Sequence, residues 1–201
     1  MRILPSGDQA LLVELDDLDE VLGYYTALSA DPPADVVDVV PAARTILVTT
    51  TGDLGALSRA LHDLTPARDR RATGDLIEIP VVYDGEDLGD VAGLLGCTPD
   101  DVIARHTADE WTVAFSGFAP GFGYLTATGD WDVPRRTSPR TKVPAGAVAL
   151  GGEFSGVYPR ESPGGWQLIG RTSVRIFDAA REPAALFYPG RRVRFVDAGR
   201  R

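Results

Sequence analysis

The chain has 201 residues, 44% of them hydrophobic and 24% charged, with a formal net charge of −9, which suits one large or two small soluble domains. Its single cysteine, Cys97, excludes an intrachain disulfide, and the acidic balance argues against broad nucleic-acid binding. No apolar run reaches membrane-spanning length and the opening MRILPSGDQ has no apolar signal region, so a cytoplasmic location without membrane attachment is expected.

In chain order, Ala10–Leu15 is an apolar, strand-like run. Asp17–Ala30 carries Leu18, Val21, Leu22, Tyr25 and Leu28 at helical spacing, with acids in the first turn where the helix dipole favours them. Asp31-Pro32-Pro33 stops that helix. Val36–Val40 and Thr45–Thr50 are β-branched runs split by a short turn, the pattern of a hairpin. Asp53 is placed to cap a second helix with Leu54, Leu57, Leu61 and Leu64 on one face. After a polar stretch from Thr65 to Gly74, Leu76–Tyr83 alternates as a strand. The order β-α-β-β-α-β is ferredoxin-like. A boundary is expected between Thr65 and Gly85, giving domains 1–75 and 76–201.

Further on, Asp90–Leu95 ends at Gly96, a natural helix C-cap. Thr98-Pro99-Asp100-Asp101 starts another helix, with His106 at its C-terminal end, where a protonated imidazole would be favoured. Cys97, in the run LLGC, reads as a small packed side chain. His62 and His106 lie on different helices and no further histidine exists, so no metal site is expected. From Trp111 the candidate strands are Trp111–Phe118, Ala147–Leu150, Trp166–Gly170, Val174–Phe177, Ala184–Tyr188 and Val193–Val196, separated by turns as in a small antiparallel barrel.

The stretch from Phe115 to Thr172 concentrates Gly and Pro turns, aromatic side chains and cations. Such rigid loops on a scaffold are where sites are built. The acids crowd the chain up to Glu110, whereas bases outnumber acids from Trp111 onward; the basic part suits an anionic ligand or an acidic partner, and a solvated surface is the alternative. Arg136, Arg140 and Lys142 fall in one Pro-fixed segment and Arg171 follows the GGW turn. They are expected to face one cleft with Tyr158 and Trp166, where Arg offers a planar fork to a carboxylate. No phosphate loop, nucleophile elbow or dinucleotide fingerprint is present, and Ser162 has no histidine near it in sequence.

The string GFAPGFGYL, followed by PR, SPRTKVPAG, SGVYPRESPGGW and LIGRT, resembles the family of 5-oxoprolinase B-type subunits, also called allophanate hydrolase subunit 1, which includes Kip-type inhibitors of a sensor histidine kinase. GDQALLVEL and IPVVY extend the resemblance over nearly the whole chain. Gly123 stands where the family usually has Pro, and Glu153-Phe154-Ser155 replaces a usual Gln-Thr-containing segment. The resemblance implies an α+β chain with a ferredoxin-like N-terminal domain followed by a cyclophilin-like β-barrel. It implies a carboxyltransferase-like partner, the C-type 5-oxoprolinase subunit, and a third, A-type subunit, with ATP used by the complex to open 5-oxo-L-proline to L-glutamate. The chain alone is expected to be inactive. A Kip-type kinase inhibitor, a subunit of an allophanate- or urea-type amidohydrolase and a peptidyl-prolyl isomerase are the alternatives. Within this frame the expected catalytic residues are Arg140, Lys142 and His106. Phe118, Pro120, Gly121, Tyr124, Arg136, Tyr158, Ser162, Gly164, Gly165, Trp166 and Arg171 are the expected substrate contacts.

Overall fold

Three helix starts are written in side-chain chemistry, and a computed structural model, which describes residues 1–67 and 75–199, shows each of them. Asp17 accepts the Glu20 N–H ahead of α1 (Leu18–Ala30), Asp53 accepts the Ala56 N–H ahead of α2 (Leu54–Asp63), and Thr98 and Asp101 form a reciprocal capping box at the head of α4 (Pro99–Ala108). Each satisfies N–H groups that a helix terminus otherwise leaves unpaired. The remaining helix, α3 (Leu88–Leu95), ends on Gly96 in the left-handed conformation, φ 66°. No described helix is long and apolar enough to cross a membrane.

The chain divides into two compact units, Met1–Arg71 and Ala72–Arg201. In the first, β1 (Arg2–Pro5), β2 (Ala10–Glu14), β3 (Val36–Pro41) and β4 (Thr45–Thr50) form an antiparallel sheet ordered β1-β2-β4-β3. Alternation puts Leu11 and Val13 of β2, with Ile46 and Val48 of β4, into a core completed by Val21, Tyr24 and Leu28 of α1 and Leu57 and Leu61 of α2. The sequence order ended this part with the strand from Leu76. The sheet instead takes in β1, and Leu76–Val81 joins the second unit. Residues 68–74 of the polar stretch between them lie outside the described residues.

The second unit holds a seven-stranded sheet ordered β12-β9-β10-β7-β6-β13-β5. Its strands are β5 (Leu76–Val81), β6 (Trp111–Ser116), β7 (Gly123–Thr126), β9 (Ala147–Gly151), β10 (Phe154–Val157), β12 (Gln167–Arg171) and β13 (Arg192–Asp197); β8 (Arg140–Val143) and β11 (Ser162–Gly164) form a separate ribbon. The two ends of the sheet meet where Val82 and Arg171 exchange N–H···O bonds of 2.9 Å, so the sheet is a nearly closed barrel. Closure removes exposed edges. The protein is therefore of mixed α+β class, with the barrel in its second unit. The barrel is not wholly antiparallel, because β5 runs parallel to β13 along six residue pairs. Val174–Phe177 and Ala184–Tyr188, expected as strands, share only the isolated bridge Phe177↔Ala185. Strands β7, β10 and β11 carry Gly or Pro within them and owe their form to cross-strand pairing. Cys97 is exposed rather than packed, since Gly96 turns the chain out of α3 before it.

His106 sits in the core of this unit, fully shielded from solvent. Its ring stacks on Phe195 at 4.4 Å, Nδ1 is 2.7 Å from the Tyr83 hydroxyl and Nε2 is 2.9 Å from Ser155 Oγ. Burial pushes its pKa down to about 3. The imidazole is thus neutral and packed, not the protonated helix terminus expected from the sequence. The unfolded chain binds this proton near pH 6.5 and the folded chain does not. Stability from His106 is accordingly complete above about pH 6.5 and falls as pH drops toward 3. We expect the unfolding free energy of the full chain from urea melts to decline between pH 7 and pH 5, approaching about 1.4 kcal/mol per pH unit at the acid end. His106→Gln should flatten that slope whatever it does to the midpoint at pH 7; an unchanged slope would refute this account.

Candidate functional site

The barrel sheet has two faces with different contents. Val113, Leu125, Val148, Leu150, Val157 and Ile169 point into the main core. The alternate residues on β10, Phe154 and Gly156 followed by Tyr158, point the other way. A register irregularity between Val113 and Phe115 turns Phe115 onto that second face, opposite Tyr124. The result is an aromatic cluster. Phe115 stacks on Tyr124 at 4.4 Å, Phe154 meets both edge-on, and Phe122 meets Tyr124, Tyr158 and Trp166 edge-on at 5.1–5.4 Å. Two glycines make the floor. A Cβ at Gly151 would lie 2.8 Å from the Trp166 ring, and one at Gly156 would lie 3.0 Å from Phe122 and 3.1 Å from Trp166.

One wall is the turn Gly117–Phe122, tied to itself by the bonds Phe122 N–H to Ala119 O and Gly117 N–H to Phe122 O. It holds Phe118 at φ 66°, a left-handed conformation costly for a non-glycine residue, and leaves the ring 57% exposed against Phe122 and Tyr158. Strain and an exposed aromatic at one position are a signature of functional loops. Burial pushes the Tyr158 hydroxyl up in pKa, against the Trp166 backbone N–H that donates to it. Burial likewise raises Tyr124, with the charge of Arg135 opposing it.

The opposite wall is the segment 134–140, and a buried carboxylate pins it. Asp87, at the N-cap of α3, gives its side chain not to that helix but to Arg136 Nη1 (2.7 Å), to both terminal nitrogens of Arg140 (2.8 Å each) and to the Leu168 N–H (2.7 Å). Burial alone would raise its pKa; the hydrogen bonds from Arg140 and Leu168 and the charges of Arg140 and Arg136 outweigh it and hold the carboxyl below the usual range. Arg136 N–H donates to Gly165 O at 2.8 Å and Gln167 Nε2 to Pro134 O at 3.1 Å. Between those anchors Arg135 lies over the Trp166 ring, 5.9 Å from its centroid.

The expected site residues divide accordingly. Phe118, Tyr124, Tyr158 and Trp166 come together. Gly121 and Pro120 lie in the Phe118 turn, and Gly164 and Gly165 run beneath Tyr158 and Arg136. Arg136 and Arg140 are committed to Asp87. Lys142 is paired with Glu161 in the β8–β11 ribbon, Arg171 with Asp84, and Ser162 Oγ donates to Arg160 O. His106 is in the core. The expected single cleft of cations does not form, because each of these arginines and Lys142 meets an acid that folding brings to it. Sequence reading missed Asp87, Arg135, Phe122 and Phe154. Phe122 and Arg135 lie within the quoted motif, in GFAPGFGYL and the PR that follows it, and Phe154 in a departure from the family pattern; Asp87 carried no signal. Gly123, the other departure, is buried in β7 opposite Ser116.

Hollows among the described residues lie in the first unit and beside Tyr158. The one of about 490 Å³ in the first unit is walled by the solvated pair Arg2–Glu14 with Asp16 and Arg44; a second there, of about 200 Å³, is lined by Asp35, Asp53 and Ala60. One of about 290 Å³ borders Tyr158, between Gly146 and Thr172–Ile176. Among the described residues no cluster of His, Cys, Asp or Glu could hold a metal ion.

Residues 1–187 match the family model "Carboxyltransferase domain, subdomain C and D". The chain is 40% identical to the B-type subunit of Haemophilus influenzae 5-oxoprolinase over 210 residues, covering 99% of each. The crystal structure of TTHA0988 is similar at TM-score 0.76 and 36% identity over 94% of this chain, which spans 40% of that longer chain. Kluyveromyces lactis urea carboxylase contains the same fold, at TM-score 0.75 and 18% identity over 97% of this chain and 21% of that one.

Asp87→Ala should leave Arg136 unpaired, leave Arg140 only its exposed partner Glu86, and cost about 3 kcal/mol. Lys142→Ala breaks an exposed pair and should change stability by less than about 0.5 kcal/mol. Urea denaturation of both variants checks this; equal effects would mean that the Asp87 cluster does not pin the loop.

Proposed function

The chain belongs to the family of 5-oxoprolinase B-type subunits, and from that premise we propose that it works in the ATP-dependent opening of 5-oxo-L-proline to L-glutamate. It is a subunit of a heteromeric 5-oxoprolinase-type enzyme, a component of a hydrolase complex. In this reading its partners are a carboxyltransferase-like C-type subunit and a third, A-type subunit, its location is cytoplasmic, and its two units are ferredoxin-like and cyclophilin-like.

The observation that carries the reading is the buried aromatic cluster with Phe118 standing exposed at its rim. A lactam ring is flat and mostly apolar, and it suits the exposed Phe118 ring and the half-buried Tyr124, with Trp166 packed against Tyr124. The Tyr124 hydroxyl, which bonds no described residue, is available to an amide oxygen or nitrogen. The described residues supply no activated nucleophile: Ser155 is fully buried against His106, and Ser162 is bonded to Arg160. They also offer no phosphate cradle. Gly164 is paired within the β8–β11 ribbon, Gly165 O accepts from Arg136, and Gly151 ends β9 under Trp166. The residues do not fit ATP, and no step through it is assigned to this chain. Its role is to bind and orient the lactam, and the strained, exposed Phe118 is placed to meet substrate or partner.

Reconstitution with and without the C-type and A-type subunits tests this. The chain alone should form no glutamate, and the complex should hydrolyse ATP only when 5-oxoproline is added. Phe118→Ala should lower kcat/KM of the complex by about tenfold or more, equivalent to about 1.4 kcal/mol, with the urea midpoint of the free chain not reduced. Complexes that assemble but never consume 5-oxoproline would overturn the assignment.

A further inference from the structure

Arg135 differs from every other arginine in its loop. The residues on either side of it are bonded to the residues on either side of Trp166: Pro134 O accepts from Gln167 Nε2, and Arg136 N–H donates to Gly165 O. Residue 135 is therefore held opposite residue 166 by one backbone bond and one bond from the Gln167 side chain. The side chain of Arg136 is locked onto Asp87, so the segment cannot slide. Arg140 is taken by the same carboxylate and by Glu86. Arg135 itself makes no ion pair among the described residues. Its guanidinium lies over the Trp166 ring at 5.9 Å, the outer limit of a cation–π interaction, and its N–H donors bond no described residue. Its charge reaches both Tyr124 and Tyr158.

We propose that Arg135 is the specificity-determining residue of the aromatic cluster, receiving the carboxylate of a small lactam acid whose ring lies against Tyr124, beside the buried Trp166 that Arg135 covers. This rests on the functional reading above and assigns to one residue the anion recognition that the sequence spread over Arg136, Arg140, Lys142 and Arg171. A guanidinium presents two parallel N–H groups to a carboxylate, and a backbone already held in place loses little freedom on binding. A solvated surface arginine would have neither the two flanking anchors nor an aromatic ring beneath it.

The test uses the reconstituted complex, with 5-oxo-L-proline compared with 5-oxo-L-prolinamide, in which a neutral amide replaces the carboxylate. Arg135→Gln should raise KM for 5-oxoproline at least tenfold and leave KM for the prolinamide and for ATP within twofold. Arg135→Lys should recover only part of the loss, because a point charge does not reproduce the fork. Equal losses with both lactams, or a raised KM for ATP, would show that the guanidinium serves the fold or a phosphate, and would overturn the inference. So would an unchanged KM for 5-oxoproline in Arg135→Gln while the wild type turns over. A wild-type complex that neither consumes nor binds labelled 5-oxoproline overturns the functional reading first, and the inference falls with it.

Discussion

The Asp87 carboxylate accepts from two guanidinium groups and the Leu168 N–H at 2.7–2.8 Å while almost wholly shielded from water. A buried charge costs several kcal/mol unless it is paired and its lone pairs are filled. Here every strong acceptor direction is used, and the N-terminus of α3 adds its dipole. The loop carrying Arg136 and Arg140 therefore has one low-energy position. Everything at the aromatic face depends on this: the loop stands beside Trp166, two of its arginines are neutralised, and the third is left with its donors free.

The aromatic face also depends on what is missing beneath it. Strand alternation sends Val148, Leu150 and Val157 into the barrel core and leaves Ala149, Gly151 and Gly156 on the other side. Larger side chains there would occupy the space of the Phe122 and Trp166 rings. The irregularity in β6 then brings Phe115 onto the same face. A barrel closed by the Val82–Arg171 bridge gives these plates a stiff base, and the strain at Phe118 is sustained by a turn that hydrogen-bonds to itself.

Charge in the second unit follows the same logic. Arg192 pairs with Glu110, Arg171 with Asp84, Arg194 with Glu78, and Arg136 and Arg140 with Asp87. The acidic and basic stretches of the sequence fold against each other, so the excess of arginine after Trp111 is mostly cancelled at short range. The exposed pairs contribute little individually, and in the loop itself Arg136 and Arg140 are taken up by Asp87.

Periodicity and capping chemistry alone determined the first two helices, the hairpin that follows the first, the start of α4 and the strands at Trp111, Ala147 and Val193, because these depend on neighbours within a turn or two. The motif from Gly117 to Thr172 determined the family and pointed to Phe118, Tyr124, Tyr158 and Trp166. Tertiary structure decided the rest. Leu76–Val81 has the same alternation whichever sheet it joins, and only its pairing with β13 placed it. His106 sits at a helix end in the sequence; only packing against Phe195, Tyr83 and Ser155 made it neutral core. Arg135 and Arg136 are adjacent and chemically identical, and nothing local separates them. What separates them is a carboxylate some fifty positions earlier, an interaction of long range in sequence and short range in space.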